Sequence, residues 1–189
     1  MRTFELKGEL RSDFGKKAAK ALRKQELVPC NLYGIGENIT FTVNNNDIRK
    51  MIYTPDTLII ALTIDGKLHH AVIKELQFHP ITENVLHIDF LEVNEQKPVV
   101  VEIPVQLEGH AEGVKAGGKL NQAMRKMKVK GLYNNIPEIL TVNIESLGLG
   151  KAIQVGSLSF DNLEIISPKN AIVAVVKATR AAKNAAADK

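Results

Sequence analysis

The sequence predicts a mainly β protein of two domains. Runs that alternate apolar and polar residues recur along most of the 189-residue chain, and a period of two is the mark of a half-buried strand. Asp65-Gly66 divides two such runs and is the strongest hairpin-turn signal present. The polar stretch Asn94-Glu95-Gln96-Lys97-Pro98 separates the runs into two groups. Domains are therefore expected over residues 1–94 and 99–180, with a loose tail over 181–189.

In the first domain, Phe4, Leu6, Gly8 and Leu10 alternate with Glu5, Lys7, Glu9 and Arg11 to form the opening strand. Further strands are expected at residues 28–33, 39–43, 57–64, 68–74 and 85–93. Two short helices interrupt them. Residues 16–25 place Ala18, Ala21 and Leu22 on one face, which should turn inward. Residues 47–53 bring Ile48, Met51 and Ile52 to helical spacing behind a cap from Asn45 or Asn46. Beyond the junction, Val99, Val101, Ile103, Val105 and Leu107 share one strand face. Residues 109–120 carry four glycines and read as a long, open loop. Strands at 127–133, 139–144, 163–166 and 171–177 then lie close enough together for a second all-β unit, barrel or sandwich.

Hydrophobic residues at 44% and charged residues at 24% describe a folded globular chain and exclude wholesale disorder. With no Trp, the cores must rest on Val, Ile and Leu. No apolar stretch suits a signal peptide or a bilayer span, so no membrane partner is expected. The single cysteine, Cys30, excludes an internal disulfide and fits a reducing cytoplasm. A net charge of +4 is only a mild hint of an acidic partner, but the charge is unevenly spread. Residues 1–24 hold eight basic residues against three acidic ones, and residues 25–94 hold four against nine. That polarisation suits one defined contact with a phosphate backbone.

Two clusters could make the contact. Lys16, Lys20 and Arg23 line one face of the first helix with Lys17 and Lys24 beside it, able to neutralise phosphates along a groove. The same pattern describes an ordinary solvated face. In residues 85–91, alternation turns Leu86, Ile88 and Phe90 inward and leaves His87 and Asp89 side by side on the other face. Imidazole donates or accepts and carboxylate accepts, so the pair can read base edges or 2′-hydroxyls. An exposed pair that merely supports the strand is the alternative. A carboxylate facing RNA is costly unless donors meet it, which makes selectivity the natural role for Asp89. His69, His70, His79, His87 and Asp89 show no HExxH or CxxC spacing, so no metal is expected. Phosphate-cradling glycine spacings are absent and Cys30 has no supporting nucleophile pattern. Neither a catalytic residue nor a cofactor is expected, and the chain reads as a binding protein, not an enzyme. In the second domain Lys126, Lys128 and Lys130 alternate along one strand, suiting either RNA or a solvated face.

The elements in order carry a resemblance. A strand ending in Arg11, then GKKAAKALRKQELVPCNLYG over 15–34, LQFHP over 76–80 and HIDF over 87–90 resemble the bacterial 5S rRNA-binding ribosomal protein family numbered twenty-five. IPVQLEGH over 103–110, with Gly113, Gly117, Gly118, Ile136-Pro137-Glu138 and SLGLG over 146–150, is similar to the second domain of its long form, also called the general stress or CTC form. The likeness covers nearly all of the chain except the tail. It implies an N-terminal β-barrel with short helices docked on an internal loop of 5S rRNA, and a C-terminal β domain extending over the subunit surface. The RNA contact it implies carries over as Arg11, Lys16 or Lys17, Arg23, Tyr33, His87 and Asp89, with Gln77 of the LQFHP segment beside them. Lys20 joins this set from the helix face. Tyr33 fits equally well as a core tyrosine whose hydroxyl reaches out. The family usually has glycine where Glu26 stands, so this chain places a carboxylate near the basic helix. The expected protein is a structural constituent of the large ribosomal subunit, cytoplasmic, monomeric within the ribosome, and in contact with 5S rRNA and neighbouring ribosomal proteins. The alternative is a stress-related, ribosome-associated protein-interaction factor.

Overall fold

The computed structural model describes residues 2–54 and 56–179, so the tail expected over 181–189 lies outside the described residues. Two compact units form. One runs to Val101 and takes in Leu132–Asn134; the other comprises Glu102–Gly131 and the chain from Asn135 onward.

The first unit holds strands β1 (Thr3–Leu10), β2 (Leu27–Tyr33), β3 (Ile39–Asn44), β4 (Ile59–Ile64), β5 (Lys67–Phe78) and β6 (Val85–Glu92). Two helices, α1 (Lys16–Lys24) and α2 (Asn45–Ile52), accompany them. The strands close into a barrel in the order β1-β3-β2-β6-β5-β4. Closure comes from a parallel ladder between β1 and β4, running from Thr3 opposite Ile59 to Gly8 opposite Ile64. It leaves the sheet without an edge to aggregate. Phe41 and Phe90 meet in the interior with ring centroids 5.7 Å apart. Gly8 makes room for them, since a Cβ there would stand 2.5 Å from Cδ2 of Phe41. Ile48 and Met51 of α2 join the same core.

The hairpin at Asp65-Gly66 forms as its residues predict, with φ of 48° and 76° in the mirror-image turn that matches strand twist. Several details differ from expectation. The α2 cap is Asn44, not Asn45 or Asn46; its Oδ1 accepts the Asn46 N–H at 2.9 Å. In α1, Ala18 and Leu22 are half-buried but Ala21 is exposed. That helix rests on β2 along one narrow stripe, leaving a cleft of about 340 Å³ that Leu10, Ala21 and Thr42 help to line. Leu10 is accordingly 58% exposed and does not share the inward role of Phe4 and Leu6. Strand β5 is longer than predicted because bulges at Lys74 and Leu86 let its pairing with β6 continue past each irregularity.

The second unit contains β7 (Val99–Glu108) from Glu102 on, β8 (Lys119–Gln122), β9 (Lys126–Gly131), β10 (Leu140–Asn143), β11 (Ala152–Gln154), β12 (Glu164–Ile165) and β13 (Ile172–Lys177). They make two sheets, β10-β7-β9-β12 and β11-β13-β8. On β7 the alternation holds: Ile103 and Val105 are buried while Glu102 and Gln106 are exposed. The glycine-rich segment is not an open loop. It forms a short helix, α3 (Glu112–Lys115), and then β8. Its glycines serve close packing: a Cβ on Gly113 would lie 2.6 Å from the backbone of Gly148 and Leu149. The Gly113 N–H donates to the Leu147 carbonyl at 2.9 Å. Lys128 pairs with Glu102 at 3.5 Å and Lys130 with Glu164 at 3.3 Å, which is the arrangement of a solvated sheet face.

We propose that residues 1–94 fold on their own. Limited proteolysis should release an N-terminal fragment of about half the chain by cutting near Asn94–Pro98, whereas cuts scattered through residues 60–90 would show that it is not autonomous. Glu26 yields a second expectation. It has φ 60° and joins α1 to β2, its N–H donating to the Arg23 carbonyl and its carbonyl accepting the Asn45 N–H. A side chain in this left-handed region costs ~1–2 kcal/mol, partly offset by glycine's greater unfolded-state entropy. Glu26→Gly should therefore stabilise the fold by ~0.5–1 kcal/mol, seen as a higher urea midpoint; a lower midpoint would mean that the carboxylate has a stabilising contact.

Candidate nucleic-acid interface

Alternation in β2 and β6 sends Cys30, Leu32, Ile88 and Phe90 into the core and leaves Asn31, Tyr33, His87 and Asp89 on the outer face. On β5 the parity is set by the bulge. Ile73 packs against the core, Lys74 is skipped by the ladder, and Leu76 packs inward again. Glu75 and Gln77 consequently join the outer face. Register then arranges the face in rungs. Asn31 and Glu75 both stand opposite Asp89, and Gln77 stands opposite His87. The second bulge moves Leu86 out of the inward position expected for it; Val85 takes that place in the core.

The polar groups of this face are only loosely engaged with one another. His87 Nδ1 lies 3.6 Å from Asp89 Oδ1, with the side chains 20% and 23% exposed, which is beyond hydrogen-bonding reach. Gln77 Nε2 donates to Glu75 Oε1 at 3.2 Å. Burial, and then the charges of Asp89 and Glu75, raise the Tyr33 phenol above its ordinary value, so it stays a neutral O–H donor.

Helix α1 borders the face. Arg23 Nε donates to the carbonyl of Leu86 at 3.0 Å, which ties the helix to the bulged residue. Lys16, Lys17, Lys20 and Lys24 are exposed. The helix begins at Gly15 with no side-chain cap and no acidic residue in its first turn. Two lysines thus sit at the positive end of the helix dipole, an arrangement that a bound anion relieves. Arg11 stands apart, in the segment before α1. Its Nε donates to the Asp13 carbonyl at 2.8 Å and its guanidinium lies 5.6 Å from the Phe14 ring centroid.

Tyr33, Gln77, His87 and Asp89 are therefore brought onto one face with Arg23 at its border, while Lys16, Lys17 and Lys20 lie on the helix and Arg11 before it. Sequence reasoning missed two members of the face. Asn31 was legible from its spacing to Tyr33, but Glu75 was not, because an unbulged strand would have put it on the face of Ile73. The other histidines have local duties: His69 Nδ1 lies 2.7 Å from Glu92 Oε1, and His79 Nδ1 accepts the N–H groups of Ile81 and Thr82. Among the described residues, no group of three or more His, Cys, Asp or Glu gathers to hold a metal.

The same elements are diagnostic of ancestry. The sequence profile described as the ribosomal L25p family matches residues 6–90, and the profile of the ribosomal protein TL5 C-terminal domain matches residues 98–180. The chain belongs to the ribosomal L25p family. It is 55% identical to the large ribosomal subunit protein bL25 of Azobacteroides pseudotrichonymphae, over 97% of this chain and 98% of the relative. Identity to the bL25 protein of Porphyromonas gingivalis is 53% over the full length of both. For that of Bacteroides thetaiotaomicron it is 55%, over 99% of this chain and 98% of the relative. L25p proteins are structural components of the ribosome and not enzymes, in agreement with the absence of any catalytic pattern in the sequence. All nine candidate residues, from Arg11 to Asp89, lie within the stretch matched by the L25p profile.

Cys30 lies directly behind this face, fully buried. Burial, and then the Asp89 charge, push its thiol well above the ordinary value of 9.0. A raised pKa in the folded state contributes stability that is present below pH 9 and lost as pH rises further. Thiol reagents should therefore label Cys30 only when the barrel opens, at the global unfolding rate, and stability should decline above about pH 9. Rapid labelling of the native protein at neutral pH would contradict this burial.

Proposed function

We propose that this chain is a structural constituent of the large ribosomal subunit whose N-terminal unit binds 5S rRNA. The carrying observation is the juxtaposition of an exposed cationic helix with a polar strand face, locked together by the hydrogen bond from Arg23 to Leu86. RNA recognition needs both kinds of surface. Phosphate contacts give affinity and register, and contacts to base edges give selectivity. A-form RNA hides its major groove, so proteins work on phosphates, 2′-hydroxyls and the minor groove. Lys16, Lys17, Lys20 and Arg23 supply the first kind of contact, and Arg11 adds a cation in the segment before the helix. Tyr33, Gln77, His87 and Asp89 supply the second. The names of the bL25 relatives support the ribosomal setting; the choice of 5S rRNA rests on the resemblance in the helix, LQFHP and HIDF segments.

The two surfaces should separate in a salt titration. Arg23→Ala removes a guanidinium able to grip phosphate, whereas Asp89→Asn removes no positive charge. Loss of one phosphate contact flattens the slope of log K against log salt by ~0.7–0.9. Arg23→Ala should weaken binding to 5S rRNA and to unrelated structured RNA alike, with the shallower slope. Asp89→Asn should keep the slope and lose ~1–3 kcal/mol of preference for 5S rRNA, with thermal stability unchanged. Absence of 5S rRNA binding by the folded wild-type protein would overturn the proposal. An unchanged slope with abolished selectivity in Arg23→Ala would mean that Arg23 acts on a base or through its anchor on Leu86, and not on phosphate.

A further inference from the structure

We propose that the outer face of the three-stranded sheet in the second unit binds the phosphate backbone of double-stranded RNA, with Lys119 and Lys177 as its cationic centre. The inference concerns a site separate from the N-terminal contact and does not depend on which RNA that contact selects.

The sheet β11-β13-β8 has one core face and one outer face. Leu120, Ile153, Ala174 and Val176 pack into the hydrophobic cluster beneath it. Alternation therefore turns Lys119, Asn121, Ala152, Gln154, Val175 and Lys177 to the other side, and all but the half-buried Val175 are exposed. None of the three strands contains an acidic residue. Register sets Lys177 directly opposite Lys119. Side chains opposed in this way stand roughly 5 Å apart at Cβ, and like charges so placed destabilise a sheet. Among the described residues neither lysine has an ion-pair partner. The other sheet of the same unit treats its lysines differently, matching Lys128 to Glu102 and Lys130 to Glu164. Protection of a sheet edge accounts for Lys119, because β8 is an edge strand. It does not account for Lys177, because β13 is the central strand. An anion held between the two ammonium groups relieves their repulsion.

The rest of the face selects what carries the anion. Where two proteins bury a contact, aromatic residues are enriched and lysine is depleted. This face has the reverse composition: no aromatic residue stands in its three strands. Its largest apolar member, Ile172, lies opposite Gln154 at the end away from the lysines. Lysine with asparagine and glutamine is the set that contacts phosphate and sugar, and Asn121 and Gln154 supply amides that can donate to phosphate oxygens or pair with 2′-hydroxyls. Single-stranded RNA is held largely by stacking of its bases on aromatic rings, which this face cannot offer. An RNA helix presents its phosphates outward and asks for no stacking, so its backbone is the partner that fits.

Chemical-shift mapping tests the idea on the full-length protein, because it reads each site at its own residues. Isotope-labelled protein would be titrated at low salt with a short RNA duplex of arbitrary sequence. Amide signals of β8, β11 and β13 should move, whatever happens in α1. Raising salt fourfold should weaken this site about tenfold, the dependence expected for two phosphate contacts. Lys119→Gln combined with Lys177→Gln should abolish these shifts, while the remainder of the spectrum shows that the fold is intact. Lys128→Gln combined with Lys130→Gln should leave them as in wild type. A duplex that moves α1 signals and leaves this face unmoved would overturn the proposal and leave the proposed function standing. Equal shifts on the sheet that carries Lys128 and Lys130 would also overturn it, by showing diffuse attraction to any lysine. So would unchanged affinity at this face in the Lys119 and Lys177 variant. Poly-glutamate that bound the face as tightly as the duplex would assign it to an acidic protein instead of RNA.

Discussion

The parallel ladder between β1 and β4 closes the first sheet on itself, and the placement of the whole candidate interface depends on that closure. In an open sheet, an end strand can slide or fray without disturbing the others. In a closed barrel each strand is held by two neighbours, so strand number and stagger become mutually constrained. Because side chains alternate with a period of two, a slip of one residue would exchange the inward and outward sets. The barrel accommodates its irregularities in single-residue bulges at Lys74 and Leu86. Both adjoin the candidate interface. The first brings Glu75 and Gln77 to the outer face, and the second frees the carbonyl to which Arg23 is anchored.

Charge is distributed over this frame according to what each element can hold. A helix lying across the outside of a barrel needs only a narrow stripe of contact, which Ala18 and Leu22 provide, and its remaining surface can carry lysines. The strand face behind it is pinned by the core on one side and has fixed rungs, so short polar groups there are held at defined spacing. Cations on an exposed helix suit a phosphate backbone, where position matters less than charge. Acceptors on rigid rungs suit base edges, where geometry decides.

The second unit follows different packing rules. Its alternating strand β7 behaves as its sequence pattern requires, yet its compactness relies on glycines that permit backbone-to-backbone approach at Gly113 and Gly118. Two members of its lysine row, Lys128 and Lys130, are engaged in cross-strand pairs with Glu102 and Glu164. Those pairs are exposed and add little stability, but they explain the charge alternation without invoking a ligand.

Periodicity and turn chemistry by themselves determined the strand-rich class, the hairpin at Asp65-Gly66, the basic face of α1, and the outward pairing of His87 with Asp89. These features are local, decided by residues within a few positions of one another, and a linear pattern records them. The motifs further determined the family to which the chain belongs. Tertiary structure alone decided the bulges that recruit Glu75 and displace Leu86, and the shift of the α2 cap to Asn44. It also decided the folding of a glycine-rich stretch into α3 and β8, and the incomplete burial of α1 that leaves Ala21 exposed. Each depends on which strand or backbone segment arrives from elsewhere in the chain. A bulge exists only relative to its partner strand, and a glycine needed for close approach looks, in one dimension, the same as a glycine in an open loop.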